Sequence, residues 1–386
     1  VGLAYGLKWI WAPLVDRLPL PVLGASLGRR RSWLLLSQLA LMVGIVGMAL
    51  SNPQSSLGAL VAWAVFTAFA SATQDIALDA FRIESADARW QAALAATYQA
   101  GYRLAMIWSG AGVLWMAASA ELAGAGPYQQ TAWQWAYLVM AASMAVGVVT
   151  VLTSPEPEVA PLPPARHPGE WVRQAVIEPF AEFFQRLGWR ALWVLALIAT
   201  YRISDVVMGI MANPFYVDMG YTKDEVAWVT KFFGVVMTLL GTFIGGVLSL
   251  RLGVARVLMA GAVLSASTNL LYAWLSGVGH QLHALVWVVS ADNLSSGIAS
   301  AAFVAYLSSL TRVQYSATQY ALFSSVMLLL PKFLAGFSGT WVDTHGFAAF
   351  FTHTALLGLP VLALVYGVTR FTAPEPVPPN PDHNAH

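Results

Sequence analysis

The chain has 386 residues, 58% of them hydrophobic and only 10% charged, with a mean hydropathy of +0.63, a net charge of +1 and no cysteine. Soluble domains carry about 25% charged residues, so this composition excludes a water-soluble enzyme, a disordered chain and a disulfide scaffold. The near-neutral balance supplies no basic field for nucleic acid, and the lack of cysteine removes thiol catalysis and thiolate metal sites. The 16 Trp, 13 Tyr and 18 Phe suit aromatic belts at a membrane interface. The expected fold class is an all-α polytopic membrane protein whose partner is the lipid bilayer.

A membrane helix needs about 20 apolar residues. In chain order the pattern predicts eleven spans, near residues 1–16, 33–51, 57–80, 92–120, 134–152, 191–211, 225–249, 256–276, 284–308, 317–340 and 347–370. Breakers separate them at Ser51-Asn52-Pro53-Gln54, Gly124-Ala125-Gly126-Pro127, Asn213-Pro214 and Gly277-Val278-Gly279. Alternate gaps hold Arg17, Arg29, Arg30, Arg31, Arg82, Arg89, Arg166, Arg173, Arg186, Arg190, Arg251, Arg256, Arg312 and Arg370, whereas the other side holds only Lys223. That asymmetry places the arginine side in the cytoplasm and the C-terminus with it. An odd span count starting outside also predicts that one helix precedes Val1.

Residues 153–190 form the longest polar stretch. Pro155-Glu156-Pro157-Glu158 and Pro161-Leu162-Pro163-Pro164 open it and are too proline-rich for helix. Apolar residues at helical spacing from Trp171 to Phe184, set against Glu170, Arg173, Glu178, Glu182 and Arg186, then predict an amphipathic helix on the membrane surface. This linker divides an N-terminal half (1–152, five spans) from a six-span C-terminal half (191–371). Residues 372–386 form a Pro/Asn-rich tail expected to be disordered and cytoplasmic. Two six-helix halves resemble the major facilitator plan, here expected without its first helix.

Charge within a span costs about 2.5–3.5 kcal/mol on insertion scales, so each such residue is a candidate for function. Asp75 and Asp79 stand four apart, with Arg82 one turn on, sharing a helix face. Two such carboxylates shielded from water do not both ionise freely, which suits proton coupling; the bland alternative for Asp79 is a helix-end pair with Arg82. Arg103 lies about 16 Å into its span at 1.5 Å per residue, too deep to snorkel easily. Its candidate partners are the Asp75 carboxylate or an anionic substrate. Arg202 and Asp205 are an i, i+3 pair that either neutralise each other or switch. Lys231 and Asp292-Asn293 are candidates for the C-terminal wall of a cavity, and Gln74 and Tyr102 for hydrogen bonding and stacking against a polar solute. Asp16-Arg17 and Gly28-Arg29-Arg30-Arg31, echoed by Gly245-Gly246, Arg251, Gly253 and Arg256, suggest a charge–dipole latch in which Asp16, Arg17 and Arg30 bridge helix ends. Lys8, among Trp9 and Trp11, either reaches the cavity or pairs with an acid. No metal-ligand spacing, phosphate loop or nucleophile–base motif occurs, so no catalytic residue, metal or cofactor is expected beyond a proton gradient.

Lys8-Trp9-Ile10-Trp11-Ala12-Pro13-Leu14-Val15-Asp16-Arg17 with Gly28-Arg29-Arg30-Arg31-Ser32-Trp33 resembles the muropeptide permease family, AmpG. So do Ala72-Thr73-Gln74-Asp75-Ile76-Ala77-Leu78-Asp79, Gly101-Tyr102-Arg103, Asp292-Asn293-Leu294 and Ser316-Ala317-Thr318-Gln319-Tyr320. The resemblance, which extends to about Arg370, implies an inner-membrane facilitator that imports GlcNAc-anhydroMurNAc and its peptides with protons for cell-wall recycling, feeding the signal that induces β-lactamase. It implies a carrier that acts as a monomer with an anhydromuropeptide partner. Asp292 stands where some relatives have Glu. On this reading Asp75 alternates between a proton and Arg103, and Arg103 between Asp75 and a substrate carboxylate. Alternatives are a facilitator for another bulky anion such as acetyl-CoA or for a drug, and, from other classes, a membrane receptor or a lipid-modifying enzyme.

Overall fold

The computed structural model describes residues 2–87, 90–121, 129–158 and 167–371, and among them every regular element is helical. The expected tail at 372–386, together with Arg89 and Arg166, lies outside the described residues. The chain begins with α1 (Gly2–Leu7), a 3-10 turn (Lys8–Ile10) and α2 (Ala12–Arg17), where Pro13 occupies the first turn, a position that needs no N–H. A short α3 (Leu23–Leu27) precedes the long α4 (Arg29–Leu50) and α5 (Leu57–Glu84). Next come α6 (Gln91–Ile107), a π turn at Trp108–Gly112 and α7 (Val113–Ala120), then α8 (Gln130–Ser143) and α9 (Ala145–Thr153).

The linker contains α10 (Pro168–Val172), a π turn (Arg173–Ile177) and α11 (Glu178–Leu187), over the residues where the amphipathic helix is expected. The C-terminal half has α12 (Arg190–Thr200), α13 (Ile203–Asp218), α14 (Lys223–Val226) with a π turn at Ala227–Phe233, α15 (Gly234–Leu252), α16 (Val254–Val278), α17 (Leu282–Leu310), α18 (Ser316–Ala335), α19 (Ser338–Leu356) and α20 (Gly358–Phe371).

Nine stretches among the described residues are long and apolar enough to cross a bilayer: Arg29–Leu50, Leu57–Glu84, Gln130–Thr153, Arg190–Asp218, Asp224–Leu252, Val254–Val278, Leu282–Leu310, Val313–Ala335 and Ser338–Arg370. Two expected spans fall short of that measure for visible reasons. The first is broken into α1 and α2 by the turn at Lys8. The expected span 92–120 carries Gln99 and Arg103 and is interrupted by the π turn around Gly110 and Gly112. Within Ser338–Arg370, Gly346 has φ +80° and divides the stretch, so the last expected span starts just after the break.

Close helix crossings rely on missing side chains. A methyl group at Gly241 would lie 2.1 Å from the Leu294 carbonyl oxygen, and one at Gly297 would lie 2.4 Å from that of Thr238, so α15 and α17 touch backbone to backbone. The largest apolar cluster is nearly all C-terminal, running from Phe183 to Val368. A second joins Ala12, Leu34, Ile76 and Ala80 to Ala317 and Ala321 of α18, so the first half packs directly on the second.

Candidate functional site

α5 carries a ladder of charge from mid-span to its C-terminal end. Asp75, Asp79 and Arg82 share one stripe because they are four and three residues apart. The turn at Lys8 aims an ammonium, only 2% exposed, into that stripe. Lys8 Nζ is ion-paired with Asp75 and lies 3.9 Å from Asp79 Oδ2. The Tyr98 hydroxyl donates to Asp75 Oδ1 at 3.1 Å, and Arg82 Nη2 lies 3.5 Å from Asp79 Oδ1. Formal charges cancel when both acids are ionised, so the two carboxylates are not left facing each other alone. Asp75 keeps 24% of its side chain exposed against 5% for Asp79. Asp75 borders a cavity of ≈ 850 Å³ with Tyr5, Ser71, Gln74, Tyr98 and Tyr102, which is where the expected Gln74 and Tyr102 are found.

The expected Asp75–Arg103 pair is not formed. Lys8, 67 residues away in sequence, takes the carboxylate instead. Arg103 is partly buried, has no carboxylate within 4 Å among the described residues, and lies within electrostatic reach of Arg202 in the opposite half. Arg202 stands at the break between α12 and α13, with Nε 3.2 Å from Asp205 Oδ2 and Nη1 donating to Ser300 Oγ at 2.6 Å. The neutralising Arg202–Asp205 pair is therefore present.

Asp205 also accepts a hydrogen bond from Ser265, and one turn along α16 the Thr268 hydroxyl donates to Asp292 Oδ1 at 3.2 Å. No cation lies within 4 Å of Asp292 among the described residues. Asn293, expected to contact substrate, is committed to packing: its amide donates to the Val289 carbonyl and accepts from Thr238 Oγ1, both at 2.9 Å. Lys231 falls in the π turn Ala227–Phe233, and its side chain lies outside the described residues.

The two halves are joined at the arginine-rich end by a buried ionic network. Arg30, fully buried, donates to Asp16 Oδ1 at 2.6 Å, to Glu84 Oε1 at 2.5 Å, to the Val15 carbonyl at 2.9 Å and to Ser316 Oγ at 2.9 Å. Asp16 in turn caps α18, accepting from the backbone N–H groups of Ala317 at 3.1 Å and Thr318 at 2.7 Å. Glu156, at the start of the linker, accepts from the N–H groups of Arg30 and Arg31 at 2.7 and 3.0 Å, and it packs so closely on Gly28 (φ +85°) that no side chain fits there. Arg17 turns away from Asp16 and donates to Gln174 Oε1 in the linker at 3.0 Å.

The linker helix also grips the C-terminal half. Glu182 accepts from Gln319 at 2.8 Å, Arg186 at 2.8 Å and Arg312 at 2.9 Å. Burial acts to raise its carboxyl, but the hydrogen bonds from Gln319, Arg312 and Arg186 outweigh it and hold the group below its ordinary range. Arg82 and Lys8 take the pairings open to them in the sequence, Arg82 with Asp79 on its own helix and Lys8 with an acid. Glu84 and Glu156 are the participants that spacing does not single out, and Glu84 reads as an ordinary helix-end residue.

Residues 23–367 match the family model for MFS/sugar transport proteins. The chain is 34% identical over 367 residues to the anhydromuropeptide permease of Escherichia coli, covering 95% of this chain and 70% of that protein. It is 33% identical over 364 residues to putative transporter AmpG 4 of Rickettsia felis, covering 94% and 85%. Among solved structures, FucP, a major facilitator superfamily transporter in the outward conformation, superposes with a TM-score of 0.71 at 13% identity, covering 95% of this chain and 88% of that one. The human organic anion transporter MFSD10 gives 0.62 at 15% identity, covering 94% and 82%. The fold is that of a multi-pass transporter and not of an enzyme, and the chain belongs to the AmpG family of the major facilitator superfamily.

Proposed function

We propose that this chain imports GlcNAc-anhydroMurNAc and its peptides across the bacterial inner membrane by proton symport, acting as a monomer with its C-terminus in the cytoplasm. The observation that carries the reading is the Lys8–Asp75–Asp79–Arg82 array beside a cavity of ≈ 850 Å³. A charge-balanced cluster whose other members are buried responds strongly to one added proton, because a low dielectric screens the change weakly. Asp75, the more exposed acid, takes the proton from the cavity, and Lys8 rather than Arg103 is the cation with which that proton competes.

Arg103 is then free throughout the cycle to hold an anion. With no carboxylate within 4 Å among the described residues and Arg202 opposite, it forms the positive wall against which a substrate carboxylate sits, and a guanidinium matches that group bidentately. The ionic network around Arg30 and Asp16 closes the cytoplasmic side, so substrate enters from the other face and leaves when that network opens. Delivery of anhydromuropeptide to the cytoplasm makes the chain an indirect contributor to β-lactamase induction and hence to antibiotic resistance.

The test is uptake of labelled GlcNAc-anhydroMurNAc-tripeptide into proteoliposomes under an imposed proton gradient. Accumulation that collapses with the gradient supports the reading. Uptake of acetyl-CoA in preference to the muropeptide, or uptake indifferent to the gradient, removes it.

A further inference from the structure

We propose that Arg82 is the positioning residue that ties proton occupancy of the Asp75/Asp79 pair to closure of the two halves on the cytoplasmic side; this rests on the proton-coupled reading above. Lys8 touches only carboxylates of its own half. Arg82 reaches across. Its Nη2 lies 3.5 Å from Asp79 Oδ1 on α5, while its Nη1 donates at 2.9 Å to Ser308 Oγ on α17. Its Cζ lies 5.3 Å from the ring centre of Tyr320 on α18 and 5.5 Å from that of Tyr98 on α6. The residue is 6% exposed, and its Nε has no hydrogen-bond partner among the described residues.

The charged and titratable groups facing this guanidinium are therefore Asp79 on its own helix, with Asp75 and Lys8 behind it, Tyr98 on α6 and Tyr320 on α18. Asp79 is the one carboxylate within 4 Å of Arg82 among the described residues. When the proton taken up at Asp75 passes on to Asp79, the other carboxylate within reach of Lys8, Arg82 becomes a desolvated cation held only by a hydroxyl and two ring faces. Losing one partner of a buried ion pair is far more costly than never having the pair. The cation regains hydration most simply if α17 and α18 move off α5, which is the motion that opens the cytoplasmic side. Proton entry at one end of the ladder thus weakens the seam at the other, through one side chain that belongs to both.

The closing experiment compares wild type, Arg82→Lys and Asp79→Asn in proteoliposomes. Two readouts are taken: the ratio of gradient-driven uptake to gradient-free exchange, and the distance between spin labels at Ser85 and Val313, across the cytoplasmic seam. The chain has no cysteine, so the label sites are unique. Arg82→Lys keeps the charge but loses the guanidinium's fork of donors and its delocalised face over the rings. It is expected to lower the ratio by about tenfold, the scale of a typical coupling energy, and to abolish the lengthening of the label distance on acidification. Asp79→Asn is expected to show the longer distance already at neutral pH. A ratio and a pH-dependent distance in Arg82→Lys that match wild type would overturn the role of Arg82. A wild type that ignores the gradient would instead overturn the proton-coupled reading itself.

Discussion

Asp16 and Thr318 lie in opposite halves of the molecule, yet the Asp16 carboxylate accepts both the Thr318 amide at 2.7 Å and the Thr318 hydroxyl at 2.6 Å. One half thus caps a helix of the other, and Arg30 holds the capping carboxylate in place. The seam combines helix dipole, charge pairing and burial, so its strength depends on several groups at once.

Removing Asp16 tests that seam. A lost N-cap alone costs about 0.5–2 kcal/mol, but Asp16→Ala also leaves Arg30 buried with one anion fewer, and breaking a buried pair costs about 3–5 kcal/mol. Asp16→Ala should therefore lower the melting temperature in detergent more than Thr318→Ala does. In the double variant Asp16→Ala/Arg30→Met the effects should be far from additive. Additive losses would mean that Asp16 acts only as a cap.

Lys8 offers a test of the ladder. Lys8→Met leaves Asp75 without its ion-pair partner and Asp79 with Arg82 alone, so gradient-driven uptake should fall steeply and stability should drop by about 3–5 kcal/mol. Adding Asp75→Asn removes one of the stranded acids and should restore much of the stability but none of the coupling. Calorimetry and uptake measured on the same preparations separate the two outcomes.

Hydropathy alone makes most of the spans and the linker helix legible, because bilayer thickness and backbone satisfaction leave few alternatives. The stripe of Asp75, Asp79 and Arg82 is legible too, since helical periodicity fixes neighbours within one helix. What periodicity cannot supply is a partner from another helix. Lys8 reaches Asp75 only because the chain breaks into a 3-10 turn at that point. Asn293 looks like a free polar group in an apolar run but is absorbed by Thr238 and the Val289 carbonyl, a role visible only once α15 and α17 are crossed. Glu84, whose acceptance of Arg30 is central to the seam, sits where an exposed helix end would be expected.

Arg103 should contribute affinity for anionic groups and little else. Arg103→Gln is expected to weaken binding of substrates with free carboxylates by about tenfold or more, in line with one charged hydrogen-bonded contact. The same substrate amidated at those carboxylates should bind the variant and wild type alike. Competition for labelled muropeptide uptake reads both values, and equal weakening for the two substrates would place Arg103 in the framework of the fold.

The crossing of α15 and α17 gives a prediction about stability without chemistry. A methyl group at Gly297 would meet the Thr238 carbonyl oxygen at 2.4 Å, a backbone atom that cannot swing aside. Gly297→Ala should cost about 1–3 kcal/mol, as overpacking does. Gly277→Ala, where nothing lies within 4 Å, should cost far less. Thermal unfolding of the two variants side by side makes the comparison.

The linker's grip should depend on pH in a direction set by Glu182. Its carboxyl is held below its ordinary value of 4.5 because hydrogen bonds from Gln319, Arg312 and Arg186 outweigh the opposing effect of burial. A depressed folded-state pKa means that the bound state favours the ionised form, so the stabilisation is fully present above the ordinary value and is lost as pH falls through the lowered one. Hydrogen exchange of the backbone from Pro168 to Leu187 should therefore stay slow, after correction for intrinsic rates, from neutral pH down to about pH 5 and quicken below the ordinary glutamate range. Glu182→Gln mimics the protonated form, so it should exchange faster at neutral pH and lose the acid-dependent step. Persistence of that step in Glu182→Gln would assign it to another acid of the linker, with Glu178, which lies 4.0 Å from Arg17, the next to replace.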